Sequence, residues 1–208
     1  MTTPGPRKFP LVPVLIGLGV VALVVTVLLS MGGTGTATDE FGAPEITGSN
    51  LPLAGATPDP ALGLPIPEVV GADFDGTEVR IARDGRAKIL IFLAHWCPHC
   101  QAEVPVVQDW YEQGNLPDNV DLIAVATSTN SARVNYPPSA WLEEEGFEPP
   151  VIADSSSFAL GAAYGVDAFP FWVFVSPDGL VVGRTSGRLD GPTISEIATT
   201  LAAMTPGA

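Results

Sequence analysis

The sequence contains few cysteines and few basic residues. Two Cys occur in 208 residues, and nine Lys or Arg stand against 23 Asp or Glu, which gives a formal net charge of −14. Proteins that bind a phosphate backbone need clustered positive charge to displace its counterions, so this balance excludes a DNA-binding or RNA-binding function. Cys97 and Cys100 are three positions apart. A disulfide between them would close a short loop and add little stability to the fold.

Charged residues are absent from Phe9 to Thr38. Within this segment, residues 11–31 form an apolar run that at about 1.5 Å per residue reaches about 30 Å, the thickness of a bilayer's hydrocarbon core. Arg7 and Lys8 precede the run and every acidic residue follows it. The positive-inside rule therefore predicts a short cytoplasmic N-terminus over residues 1–10, a transmembrane signal anchor over the run, and an extracytoplasmic remainder. A cleaved secretory signal is the alternative, although its apolar region is usually shorter.

Two further parts are expected after the apolar run. Residues 32–66 are rich in Gly, Pro, Thr and Ala and show no sustained apolar period. This composition predicts a flexible linker with a reach of about 30 Å. Residues 67–208 alternate between strand-like and helical patterns, and we expect them to fold as one monomeric domain.

The order of elements in this domain predicts a mixed sheet. Predicted strands are 69–70 and 78–81, which form a hairpin, 88–94 and 121–127, which are buried, 151–152, and a second hairpin of 171–175 and 180–184. Predicted helices are 98–113, 139–147, 155–164 and 191–204. The fold class is therefore α/β, with a mixed sheet flanked by helices and preceded by one transmembrane helix.

The two cysteines lie where an apolar strand ends and the next helix begins. Residues i and i+3 at a helix start have Cα atoms about 5–6 Å apart, a separation that a disulfide can bridge. The helix N-terminus favours negative charge, so Cys97 is predicted to be the attacking thiolate and Cys100 the resolving thiol. Pro98 suits the first helical position, and His99 would stabilise the thiolate further if it is charged or donates a hydrogen bond.

Two functions of other classes are alternatives for this segment. His95, Cys97, His99 and Cys100 are common zinc and copper ligands, so a metallochaperone is one of them. A strand end and a helix start seldom bring four side chains to one ion, and we expect no bound metal and no cofactor. A non-catalytic binding module is the other alternative, and it would keep its partner after both cysteines are replaced.

The segment Trp96-Cys97-Pro98-His99-Cys100, followed by Glu103 and Pro105, resembles the active-site motif of the thioredoxin superfamily, in particular its membrane-tethered TlpA/ResA-like branch. Residues 165–175 and the following Pro177-Asp178-Gly179 are similar to the family segment that holds a cis-proline and the next hairpin. The resemblance covers residues 67–204. It implies a thioredoxin-like fold and thiol-disulfide oxidoreductase activity.

The resemblance also implies roles for single residues. Pro170 would be the cis-proline that lies beside Cys97 and shapes the substrate groove. Glu103, three residues past Cys100, would assist proton movement at that thiol, with an exposed helix carboxylate as the alternative. Trp96 would be either a lid over the reactive sulfur or simple packing.

Three neighbouring positions carry less specific expectations. His95 is predicted to be a solvated loop residue. Ile91 occupies a position where many thioredoxins have a buried acid, so proton handling would depend on Glu103 or water. Phe169 precedes Pro170 where the family usually has Thr or Val, which leaves the specificity of the groove open.

The direction of electron flow has two possible answers. Pro98-His99 is the dipeptide of DsbA-type oxidases, and any group that stabilises the Cys97 thiolate makes the disulfide a stronger oxidant. The surrounding domain resembles the reductive TlpA/ResA branch, which could take electrons from a membrane reductase and keep exported thiols reduced, for example those of apocytochromes. We favour oxidation of exported Cys-containing proteins, with a membrane redox partner, and keep reduction as the alternative.

Overall fold

The computed structural model describes residues 40–207, and the predicted cytoplasmic segment and transmembrane anchor lie outside this range. No helix between residues 40 and 207 is long and apolar enough to cross a membrane. The elements in chain order are β1 (Glu45–Thr47), β2 (Glu68–Ala72), β3 (Glu78–Ile81), β4 (Ala87–Leu93), α1 (Pro98–Glu112), β5 (Val120–Ala126), α2 (Pro138–Glu144), β6 (Val151–Ala153), α3 (Ala159–Ala163), β7 (Phe171–Val175), β8 (Val181–Ser186) and α4 (Gly191–Ala202).

The main sheet has five strands in the order β6-β5-β4-β7-β8. β4 runs parallel to β5 and antiparallel to β7, and β5 runs parallel to β6, so the sheet is mixed as predicted. All seven residues of the central strand β4 are buried. Its continuous apolar sequence is typical of a strand covered on both faces.

Side chains of β4 alternate between two hydrophobic cores. Ile89, Ile91 and Leu93 face the core formed with α1 and α4, whereas Leu90 and Phe92 face the core on the other side of the sheet. This alternation follows from the two-residue period of a strand. The C-terminal end of β4 is therefore held between two packed layers. At this end the chain turns into α1.

The prediction of a flexible linker over residues 32–66 is wrong for residues 40–66. β1 lies in this segment and pairs with β2 in a separate three-stranded sheet. Leu51, Ala61 and Ile66 are buried in the second core. These apolar residues are separated by Gly and Pro and have no period, so their burial leaves no pattern in the sequence. Each large apolar side chain buried in this way contributes about 2 kcal/mol of transfer free energy.

Polar contacts also attach this segment to the main sheet. The guanidinium of Arg184 on β8, 0% exposed, pairs with Asp59 and donates at 2.9 Å to the carbonyls of both Pro52 and Tyr164. The hydrogen bond from Arg184 is the main reason that the pKa of Asp59 is lowered. The Tyr164 hydroxyl donates to the carbonyl of Pro67 at 2.6 Å. The folded unit therefore begins well before the predicted boundary at residue 67.

Two of the helices are shorter than the sequence predicts. α2 covers 138–144 rather than 139–147, and α3 covers 159–163 rather than 155–164. The side chain of Asp154 accepts hydrogen bonds from the backbone N–H groups of Ser155 and Leu160, and Phe158 has a left-handed φ of 63°. These contacts form a turn where the sequence pattern predicts the first helical turn of α3.

Candidate active site

Cys97 and Cys100 occupy different environments at the start of α1. Cys97 is the N-cap residue, with extended backbone, and Pro98 is the first helical residue. Cys97 is 7% exposed, and its Sγ atom lies 3.7 Å from the carbonyl oxygen of Phe169. Cys100 is fully buried one turn later, and its Sγ accepts a hydrogen bond from the Ala94 N–H at 3.4 Å.

Both cysteines are free thiols. Burial raises the pKa of the Cys100 thiol far above its ordinary value, and the negative charge of Glu103 adds to the effect, whereas the Ala94 N–H opposes it. A thiol held protonated in this way is a poor nucleophile toward solvent. The arrangement gives an outer sulfur at a helix N-terminus and an inner sulfur that is fully buried one turn later.

The segment before β7 brings Pro170 next to the cysteines. The Phe169-Pro170 peptide bond is cis, as the family resemblance implies, and Pro170 is buried. The ring of Phe169 is half-buried and makes edge-to-face contacts with Trp96 and with Phe158, at centroid distances of 6.1 and 6.3 Å. Phe169 therefore contributes both a backbone carbonyl beside Cys97 and an aromatic wall next to it.

Glu103 is buried rather than an exposed helix carboxylate. One of its oxygens accepts the Leu189 N–H at 2.8 Å, and the other lies 3.3 Å from Nε of Arg188. Burial raises the pKa of Glu103, and the contacts with Leu189 and Arg188 oppose this shift. The carboxylate thus joins α1 to the loop before α4 and acts electrostatically on Cys100. Its predicted role in proton movement stays a prediction.

His95 is buried, so its prediction as a solvated loop residue is wrong. The Asn130 N–H donates to Nε2 at 3.1 Å, and Nδ1 lies 2.7 Å from the carbonyl oxygen of Val134. Because Nε2 accepts, the proton is on Nδ1, which donates to Val134. Burial is the main cause that lowers the pKa of His95. Its position directly after a buried strand was the one sequence feature that could have indicated this role.

Trp96 is anchored by the loop that follows β5. Its indole Nε1–H donates to the carbonyl of Ser128 at 2.8 Å, and the guanidinium carbon of Arg133 lies 4.8 Å from the centre of its ring. These contacts agree with the interpretation of Trp96 as packing, and its role as a lid over the reactive sulfur stays a prediction. Sequence reasoning missed Arg133 and Phe158, which are distant from the motif along the chain.

The proposed metal ligands do not form one cluster. His99 lies exposed on the first turn of α1, and His95 uses both ring nitrogens for backbone contacts. No group of three His, Cys, Asp or Glu side chains within residues 40–207 is arranged to hold a metal ion. The geometry therefore favours thiol chemistry over metal delivery at this site.

Comparison with known proteins agrees with this geometry. The redoxin family profile matches residues 61–201. A tryparedoxin of Trypanosoma brucei brucei is 26% identical over 102 residues, 48% of this chain and 67% of that protein. The thiol-disulfide oxidoreductase ResA of Bacillus anthracis is 27% identical over 129 residues, 61% and 70% of the two chains.

Solved structures show the same fold. StoA of Bacillus subtilis superposes with a TM-score of 0.55 at 22% identity, over 66% of this chain and 98% of that one. A DsbF of MTB, solved in mixed oxidized and reduced forms, superposes with a TM-score of 0.54 at 25% identity, over 64% and 93%.

Proposed function

The chain belongs to the redoxin family and is a thiol-disulfide oxidoreductase of the TlpA/ResA-like branch of the thioredoxin superfamily, and from this premise we propose that it exchanges disulfides on exported proteins outside the cytoplasm. The observation that carries the proposal is the asymmetric pair at the start of α1. Cys97 is next to the Phe169 carbonyl, and Cys100 is buried and held protonated behind it.

The pair acts in two displacement steps. When the protein is oxidised, a substrate thiolate attacks Cys97 Sγ, a mixed disulfide forms, and the Cys100 sulfur leaves as a thiolate that takes up a proton. A second substrate thiolate then attacks the substrate sulfur of the mixed disulfide, and Cys97 leaves. The substrate loses two electrons and two protons, and the protein gains them as two thiols. Reduction of a substrate disulfide is the reverse sequence.

Dithiol oxidation is the direction that we propose. His99 lies between the cysteines on the exposed side of the first turn of α1, where a positive charge or a donated hydrogen bond stabilises a Cys97 thiolate. Stabilising the thiolate stabilises the reduced protein and makes the disulfide a stronger oxidant. A membrane redox partner then reoxidises the protein, which acts as a monomer attached by residues 11–31.

The reduction potential of the Cys97–Cys100 pair tests the direction. The full chain in detergent is equilibrated with glutathione buffers, and the fraction oxidised is measured by thiol alkylation and mass spectrometry. A potential above about −180 mV supports dithiol oxidation, whereas a value near −250 mV or lower makes the protein a reductase that takes electrons from a membrane donor.

Substrates are identified by trapping. The Cys100→Ser variant keeps the attacking sulfur and lacks the resolving one, so it accumulates mixed disulfides with exported proteins when expressed in the native cell. The Cys97→Ser variant is the matched control and traps none. Equal trapping by both variants would contradict the assigned order of attack.

Location is tested with intact cells. A membrane-impermeant maleimide labels Cys97 from outside if the domain is extracytoplasmic, and labels it only after lysis if the domain is cytoplasmic. Mass spectrometry of the mature N-terminus separates an uncleaved anchor from a cleaved signal.

A further inference from the structure

A cavity of about 300 Å³ with a mostly polar lining adjoins Trp96, the residue before Cys97. Cys97, Cys100 and Pro170 are not among its lining residues, and we call it the Arg133 cavity. Its lining residues come from the segment before α1, the loop after β5 and the segment before α3: Trp96, Ser128, Thr129, Asn130, Arg133, Ser155, Ser156 and Phe158.

Arg133 is the sole charged residue of this lining. Six of the seven Lys and Arg residues between 40 and 207 form an ion pair with a carboxylate, and Arg133 is the exception. Its side chain is exposed and its guanidinium lies over the Trp96 ring. The chain has a net charge of −14, so most of its surface repels anions. The unpaired positive charge of Arg133 attracts anions locally.

Donors without partners accompany this charge. The hydroxyl groups of Ser128, Thr129 and Ser156 make no hydrogen bond within the part of the chain that the structure describes. A guanidinium with neighbouring hydroxyl donors matches the several acceptor sites of a carboxylate. The lining therefore suits an acidic side chain better than a basic or an apolar one.

The cavity lies within reach of a substrate bound at Cys97. Trp96 is the residue before Cys97, and its ring contacts both Arg133 and Phe169. Phe169 in turn places its carbonyl beside the Cys97 sulfur. Contacts of the Trp96 and Phe169 rings thus connect the Arg133 guanidinium to the surroundings of the reactive sulfur, and we expect a few residues of extended peptide to span them.

The loop that carries Arg133 is attached to the active-site segment at three points. His95 accepts from Asn130 and donates to Val134, the residue after Arg133, and Trp96 donates to Ser128. These contacts position the loop relative to Cys97 before any substrate binds. Preorganisation of this kind lowers the entropy cost of recognition.

We infer that the Arg133 cavity selects substrates by binding an Asp or Glu side chain located close to the reactive cysteine of an exported protein. Arg133 is then a specificity-determining residue of the thiol-disulfide exchange. This inference rests on the proposed function, and it goes beyond it by naming a feature of the substrate sequence.

The test compares three peptides that differ in one residue next to a single cysteine: Glu, Gln or Lys. Each cysteine is joined to a coloured aromatic thiol by a disulfide. Reduced full-length protein carrying Cys100→Ser attacks the peptide sulfur through Cys97, so the Cys97–peptide disulfide forms while the aromatic thiolate leaves and is measured by its absorbance. At about 0.15 M salt the Debye length is about 8 Å, which screens distant charges.

We expect Arg133→Ala to lower the ratio of the Glu-peptide rate to the Gln-peptide rate by about fivefold, the upper range for one exposed ion pair. Charge reversal by Arg133→Glu should shift the preference to the Lys peptide. Arg80→Ala is the matched control, because it also removes one exposed arginine but lies on β3 in the other sheet, so it should leave the ratio unchanged.

Two failures are distinguishable. If the protein that retains Arg133 reacts with all three peptides and Arg133→Ala leaves the ratio of the Glu-peptide rate to the Gln-peptide rate unchanged, the inference is overturned while the proposed function stands. If no peptide reacts although the protein is folded and its Cys97 is reduced, the proposed exchange chemistry itself is refuted.

Discussion

His95 connects the reactive segment to the loop after β5, and its replacement by Ala should destabilise the protein measurably. The variant leaves the Asn130 N–H and the Val134 carbonyl without their partners at 3.1 and 2.7 Å. Asn130 and Val134 are exposed residues whose freed backbone groups can bind water, so the loss of the two hydrogen bonds costs on the order of 1–3 kcal/mol together. Urea unfolding of the full chain in detergent, followed by tryptophan fluorescence, measures the free energy of unfolding of both proteins.

The pH dependence gives this prediction a sign. The pKa of His95 is lowered in the fold from an ordinary value of 6.5, mainly by burial. At a pH between the folded-state pKa and the unfolded-state pKa of His95, the unfolded chain binds more protons than the folded one. The stability that His95 contributes above about pH 6.5 is therefore lost as the pH falls toward the folded-state pKa. A proton on Nε2 would also face the Asn130 N–H, a donor against a donor. The variant lacks this loss, so its deficit relative to the natural protein should shrink from about pH 8 to about pH 5.

The chain contains one other histidine, which supplies the control. His99 is exposed at the start of α1, so in the oxidised protein, which holds no Cys97 thiolate, His99→Ala should leave the free energy of unfolding unchanged. The reasoning is refuted if His95→Ala costs less than about 1 kcal/mol, or if its deficit is the same at every pH.

Three further predictions concern the fold and Cys100. Leu51→Ala should destabilise the protein by about 2–4 kcal/mol in urea unfolding, because Leu51 is buried in the second core, whereas a flexible linker would give no change. Arg184→Met should cost about 3–5 kcal/mol in the same assay, because it leaves the Asp59 carboxylate without its buried partner. Glu103→Gln removes a charge that raises the pKa of Cys100, so in a Cys97→Ser background it should speed alkylation of Cys100 at alkaline pH, and an unchanged rate would show that the two groups do not interact.

Local sequence patterns predicted the elements that carry the chemistry. The apolar run of β4 has the composition of a strand covered on both faces, and α1 begins at the predicted proline. These features depend on residues adjacent in the chain, so periodicity and propensity identify them. The resemblance of the motifs added the cis bond before Pro170, which local chemistry alone does not favour.

The surroundings of the cysteines were decided by contacts between distant parts of the chain. Three contacts show this: the hydrogen bond of His95 with Val134, the ion pair of Glu103 with Arg188, and the placement of Arg133 over Trp96. Each of them joins two residues that are 37 to 85 positions apart in the sequence. The packing of residues 40–66 belongs to the same class, since its apolar residues are isolated in sequence and meet their partners across the second core.

The sequence by itself determined the strand, the helix and the pair of cysteines between them, because those follow from the order of neighbouring residues and from backbone geometry. Only the tertiary structure decided which sulfur is covered, which histidine is neutral and buried, and which arginine is left without a carboxylate. Burial and pairing depend on what the fold places against a side chain, and a Gly-rich and Pro-rich stretch can be packed or free with the same composition.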